Sequence, residues 1–168
     1  MQKIAQFLKV SPKQFEKDFR TCLPKGDSAA AYEHISLPCR ATPGAAGYDF
    51  VTPVAVSLKP GQSVRIPTGI RARMEEGWVL LCFPRSGLGF RYRLQLDNTV
   101  GVIDSDYFHA ENEGHIMIQI TNDSRESKKL SLSAGNRFAQ GIFLPFGLAE
   151  TEETEMHPRA GGFGSTGS

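Results

Sequence analysis

"HIMIQI", residues 115–120, places isoleucine at 116, 118 and 120 with other residue types between. A period of two marks a strand with one face in a core and the other toward water. The same pattern runs outward in both directions. Upstream, Val54, Val56 and Leu58 alternate, "KPGQ" turns the chain, and Val64 and Ile66 resume. After Pro67, "TGIRARM" alternates at Ile70, Ala72 and Met74 before the turn "EEG". "WVLLCF" (78–83) is apolar on both faces, as an interior strand is. Downstream, "KKLSLS" alternates at Leu130 and Leu132, and "FAQGIFLPF" follows a Gly-Asn turn. Short strands with turn signals roughly every ten residues predict an all-β barrel or sandwich.

With 168 residues the chain has room for one domain with a real core. Its 40% hydrophobic and 22% charged residues are ordinary for a globular protein. A net charge of +1 argues against stable nucleic-acid binding, which draws on a basic excess. Cys22, Cys39 and Cys82 are odd in number and lack CxxC spacing, which predicts neither a disulfide framework nor a zinc site. The apolar run "WVLLCFP" is too short to span a bilayer, and "MQKIAQFLKV" lacks the features of a secretory signal. A cytoplasmic protein without membrane attachment is expected.

Residues 1–34 read differently from the rest. "KIAQFLKV" is a short strand, and "SPKQFEKDF" is a helix with Ser11 as N-cap, Pro12 at its first position and Gln14 at the capping-box position. Phe15 and Phe19, four apart, share a face that docks on the body. "LPKGDSAAA" reads as a loop, and "NDSRESKK" as a solvated one.

Five segments carry more Gly, Asp, Arg and Ser than strands require: "PGAAGYD" (43–49), "PRSGLG" (84–89), "DNTVGVIDSDY" (97–107), "GNRFAQ" (135–140) and "RAGGFGSTG" (159–167). Each has a plain alternative. "PRSGLG" is either a turn or a guanidinium, a hydroxyl and an approachable backbone offered to a phosphate. Asp104 is either a turn residue or a general base, Tyr107 either core or a ligand contact. Asn98 suits a turn, yet its amide presents the donor and acceptor that read a nucleobase edge. Phe163, set among glycines, fits an arm that stacks on a flat ligand.

Taken in order, "AGYD", "PRSGL", "GVIDSDY", "RFAQ" and "GGFGSTG" resemble the five motifs of the homotrimeric dUTP diphosphatase (dUTPase) family, over roughly residues 35–168. The resemblance implies a distorted jelly-roll-like β-barrel with a short N-terminal helical insert and a flexible C-terminal arm. The implied division is 1–34 for the N-terminal strand and insert, 35–158 for the core and 159–168 for the arm. It implies hydrolysis of dUTP to dUMP and pyrophosphate, which keeps uracil out of DNA and supplies dUMP for thymidylate synthesis. Asp104 would deprotonate the water that attacks the α-phosphorus. Tyr107 would carry the deoxyribose and refuse a 2′-hydroxyl. Asn98 would pair with uracil, with Val102 in the backbone stretch that completes the pocket. Arg85, Ser86, Gly87 and Gln140 would contact phosphates. Arg159 would meet the γ-phosphate, Phe163 would stack on uracil, and Gly164, Ser165 and Thr166 would close on the phosphates. Mg2+ would be held mainly by the triphosphate, with Asp49 reaching it through water, and a homotrimer would share its active sites among subunits.

The sequence departs from the family pattern at Asn136 in the fourth motif, in the spacing of Arg159 from Phe163, in the added residues "FHAENEGH" after Tyr107, and in the 11–34 insert. Two rivals share the fold. A dCTP deaminase needs a proton-shuttling glutamate where this chain has Gln119, and an amide is no base. A regulatory nucleotide-binding protein has no use for a positioned Asp104.

Overall fold

A computed structural model of the chain describes residues 2–150. The alternating isoleucines form the strand Ile116–Asn122, which buries Ile116, Ile118, Ile120 and Asn122 on one face. In chain order the elements are β1 (Ala5–Lys9), α1 (Pro12–Cys22), α2 (Ser28–Glu33), β2 (Cys39–Arg40), β3 (Tyr48–Val51), β4 (Val56–Leu58) and β5 (Ser63–Met74). They continue with β6 (Trp78–Pro84), α3 (Ser86–Tyr92), β7 (Leu94–Leu96), β8 (Gly101–Ile103), a 3-10 turn (Ser105–His109), β9 (Ile116–Asn122), β10 (Leu130–Leu132) and β11 (Arg137–Pro145).

The strands pair antiparallel in three sheets, of order β1–β5–β9–β7, β10–β4 and β2–β3–β11–β6–β8. Phe7 of β1 meets Tyr48, Phe50 and Phe143 of the five-stranded sheet at ring-centroid distances of 5.3–5.8 Å, so the two larger sheets share one core. The jelly-roll-like β fold expected from the sequence is present, but among the described residues it does not close into a barrel. Closure would require every edge strand to find a partner, and β1, β7, β2 and β8 stay at sheet edges. No helix among the described residues is long and apolar enough to cross a membrane.

β5 is one strand, where the sequence suggested a break at Pro67. Pro67 stands opposite Met117 and Ile70 opposite Ile116, so Thr68 and Gly69 bulge out of the ladder. Gly69 sits at φ +73°, and a Cβ there would lie 2.1 Å from Ile35 Cδ1. Only glycine meets both demands. The bulge is deep in the core, and its polar groups are paired. Thr68 Oγ1 donates to the Ile116 carbonyl and accepts from Ile70 N, while Gly69 N–H donates to His115 Nε2 at 2.8 Å.

α1 forms as its capping signals predict, with Ser11 Oγ accepting from Gln14 N–H at 3.1 Å. The reciprocal half of the capping box is not made by Gln14, whose amide donates to Asp18 instead. Glu113 makes it, accepting from Ser11 N–H at 2.8 Å and from Ser11 Oγ at 2.6 Å. Phe15 and Phe19 are each 1% exposed and belong to the same core as the strands. The segment read as a loop runs into α2, because Asp27 caps the N–H groups of Ala29 and Ala30 and Ala31 continues the run of alanines. The added residues after Tyr107 pack into this junction, since they carry Glu113 and the fully buried His115.

Asp18 and Glu113 are the ionic ends of this packing. Burial pushes both carboxyls up, but hydrogen bonds outweigh it. Those from His115 and Gln14 hold Asp18 below the usual carboxylate range, and those from Ser11, with Arg71 nearby, do the same for Glu113. A carboxyl depressed by folding stabilises above its unfolded pKa, about 4, and that contribution is lost as pH falls through the folded value. Unfolding free energy from urea titrations is therefore expected to fall below about pH 4. The pair Asp18→Asn and Glu113→Gln should flatten that fall. Phe19→Ala should cost about 3–5 kcal/mol in the same titrations at neutral pH, the range for deleting a buried ring.

Candidate active site

The five-stranded sheet sets four of the five motifs side by side. Asp49 on β3 is opposite Gln140 on β11, Gln140 is opposite Phe83 on β6, and Val102 on the flanking β8 is opposite Leu81. Neighbouring strands lie about 4.8 Å apart, so motifs distant in sequence become adjacent. A bulge in β11 sends Phe138 into the core between Arg137 and Ala139.

Asp49 has a side chain only 8% exposed and is gripped from two sides. Arg85 Nε lies 3.1 Å from Oδ1 and Arg137 Nη1 lies 3.3 Å from Oδ2. Both arginine side chains remain about two-fifths exposed. Each makes an ion pair with Asp49 through one nitrogen, and an arginine carries five N–H groups. An open cavity of about 460 Å3 lies beside them, lined among others by Arg91, Tyr92 and Asn136. Arg85 is also the N-cap of α3, so Ser86 and Gly87 fall in its first turn. The segment "PRSGLG" is thus a strand end running into a helix, with first-turn N–H groups that have no acceptor within the helix. Gln140 lies over Gly47, where a Cβ would come 2.7 Å from Oε1.

Asn136 closes the β10–β11 turn. Its Oδ1 accepts from Ser133 N–H at 2.9 Å, and Gly135 before it takes φ +83°. The departure from the family pattern therefore falls on a structural contact that an aspartate oxygen could also make. Asn98 is exposed in the turn before β8, where Thr99 has φ +65°. Val102 is 54% exposed although apolar. Asp104 is half-buried and caps the 3-10 turn from an extended backbone. Tyr107 is only 3% exposed, with its hydroxyl donating to the His115 carbonyl at 2.8 Å and accepting from Asn112 Nδ2 at 2.8 Å.

The structure brings Asp49, Arg85 and Gln140 together with Ser86 and Gly87 at one sheet end. It does not bring Asp104 to them within one chain. Continuing the β6–β8 register puts Asp104 beside Val79, six residues from Arg85, about 20 Å along the strand. Arg159, Phe163, Gly164, Ser165 and Thr166 lie outside the described residues. Two residues gain a place that sequence reasoning missed. Arg137 opens the "RFAQ" segment, where sequence reading assigned a role to Gln140 alone. His115 carried no signal, because its partner Asp18 is 97 positions away.

The β fold thus gathers two guanidiniums, a carboxylate and an amide at one sheet end, groups with the chemistry to meet an anion. The dUTPase family model matches residues 33–167. The deoxyuridine 5'-triphosphate nucleotidohydrolase of Lactococcus lactis subsp. lactis (strain IL1403) is 43% identical over 136 residues, covering 80% of this chain and 89% of that protein. The crystal structure of the dUTPase from Streptococcus mutans matches with a TM-score of 0.63 and 36% identity, over 86% of this chain and 98% of that one. A mutant dUTPase from phage phi11 of S. aureus, described with a structural Mg(II) ion, matches at TM-score 0.65 and 21% identity, over 92% and 98%, and is similar in fold alone. The chain belongs to the dUTPase family.

Gly47→Ala tests how the site is packed. The added methyl should displace the Gln140 side chain, whose contact with the Pro84 carbonyl is already long at 3.5 Å, while leaving β3–β11 pairing intact. A crystal structure of the variant reads both.

Proposed function

We propose that the chain hydrolyses dUTP to dUMP and pyrophosphate, which limits uracil in DNA and supplies dUMP for thymidylate synthesis. The observation that carries this reading is the family match over residues 33–167, across the chain's five motif segments. The cluster of Arg85, Ser86, Gly87 and Gln140 supports binding of the triphosphate, with Arg137 beside it. Bound magnesium would offset phosphate charge. The chain offers it Asp49, and among the described residues no group of three His, Cys, Asp or Glu side chains could hold a metal. The sequence resemblance supports an ion held by phosphate oxygens and its own waters, with Asp49 reaching the hydration shell.

Asp104 takes a proton from the attacking water. The water oxygen bonds to the α-phosphorus, and the bond to the α–β bridging oxygen breaks to release pyrophosphate. Asn98 reads uracil with the backbone around Val102, and Tyr107 lies against the sugar. Arg159, Phe163, Gly164, Ser165 and Thr166 close over the nucleotide; the sequence resemblance supports their roles. The separation of Asp104 from Arg85 within one chain favours a site completed by a neighbouring subunit, hence a homotrimer. Exposed Leu144 and Phe146 at the end of β11 offer apolar surface for such contacts. Three unpaired thiols suit the cytoplasm. Deamination is disfavoured because both amide atoms of Gln119 are engaged, with Arg65 and with Asp97.

Turnover with magnesium should strongly favour dUTP over dCTP, dTTP and UTP, by as much as roughly 10⁴-fold where a hydrogen-bonding edge is lost. Comparable rates on dUTP and dCTP in a pyrophosphate-release assay would refute the reading. Asp104→Asn should lower kcat by at least ~10²-fold while nucleotide binding survives. Light scattering should report about three times the 18.4 kDa chain mass.

A further inference from the structure

His115 is 0% exposed, and the hydrolytic reading gives it no task. Its ring bridges two elements. Nε2 accepts the N–H of Gly69 in the β5 bulge, so the ring proton sits on Nδ1 and is donated to Asp18 Oδ2 on α1 at 2.6 Å. Its backbone carbonyl receives the hydroxyl of Tyr107. Asn112 braces the same junction, donating to the Tyr107 hydroxyl and, at 3.4 Å, to the His115 carbonyl.

The segment between Tyr107 and His115 is held at further points. Arg71 of β5 donates to the Phe108 carbonyl at 2.6 Å and lies 3.7 Å over the Phe108 ring. Glu113 accepts both hydrogen bonds from Ser11 at the start of α1. One helix therefore grips this segment at Glu113 and at His115, and the segment begins at Tyr107, three residues after Asp104. α1 itself lies before the family match, which starts at residue 33.

We propose that α1 is part of the sugar-selecting apparatus, with Asp18 as a positioning residue that acts through His115 to fix the Tyr107 ring. This rests on the reading in which Tyr107 meets the deoxyribose. Without the Asp18 carboxylate, a buried Nδ1–H loses its acceptor, and the ring must turn or change tautomer to find another. Either movement disturbs the His115 backbone that receives the Tyr107 hydroxyl. Displacing a ring that excludes a single hydroxyl group weakens discrimination against UTP before it abolishes turnover.

The test is steady-state kcat and KM of the full chain on Mg–dUTP and Mg–UTP. In Asp18→Ala the ratio of kcat/KM for dUTP over UTP should fall about tenfold, a fraction of the ~10²-fold that a misplacement near 1 Å can cost. Asp18→Asn, whose amide oxygen still accepts from Nδ1–H, should keep the ratio within about threefold of wild type. Phe19→Leu loosens the same helix without touching the Asp18–His115 hydrogen bond, and should lower Tm but leave the ratio in place. If Asp18→Ala does not fold, Tyr107→Phe decides. It removes only the hydroxyl that meets the His115 carbonyl and should lower the ratio by a similar factor. An unchanged ratio in folded Asp18→Ala or in Tyr107→Phe overturns the proposal, as does an equal fall in Phe19→Leu at matched Tm. A wild-type enzyme that turned over UTP as well as dUTP would instead overturn the assignment of Tyr107 itself.

Discussion

The buried bulge at Thr68–Gly69 is the constraint on which the rest of this structure depends. Two extra residues in the middle of β5 interrupt its ladder inside the core, where an unpaired backbone group costs about 1–3 kcal/mol. Each polar group described there draws in another part of the chain. The Gly69 carbonyl accepts from Val10, which fixes where β1 hands over to α1. The Gly69 N–H requires His115, which brings down the segment after Tyr107. Thr68 reaches the Ile116 carbonyl at the start of β9. One irregularity thus locks together the N-terminal insert, the central strand of the sheet and the segment that follows Asp104.

Electrostatics around Asp49 works on a smaller scale. A net charge of +1 conceals a local excess, with Arg85, Arg91 and Arg137 around one cavity and only Asp49 tying two of them. Holding two guanidiniums on one carboxylate pre-orients them, and both line the cavity. Asp49 itself is paired with two cations although nearly buried, as a charged group in that position must be.

Much of the fold could be read from local pattern. The alternation at 116–120 became β9, the doubly apolar "WVLLCF" became β6 between two neighbours, and Ser11 with Pro12 began α1. What escaped was non-local. Pro67 looked like a strand break because sequence cannot show that a bulge will absorb a residue without an N–H. The "LPKGDSAAA" stretch looked like a loop because its glycine masked the capping strength of Asp27. Glu113 and His115 showed no role in the sequence because their partners are at the start of and within a helix about a hundred positions earlier.

The candidate site divides in the same way. The sequence by itself determined which chemical groups are present and in what order, since motif letters specify side chains and short spacing specifies strands and turns. Only the tertiary structure decided which groups meet. Strand order in the five-stranded sheet puts Asp49 beside Gln140, and antiparallel register carries Asp104 away from Arg85. Packing of α1 turned a solitary histidine into the anchor of Tyr107. The reason is physical: local propensity acts over a few residues, whereas a buried polar group must find its partner wherever the folded chain supplies one.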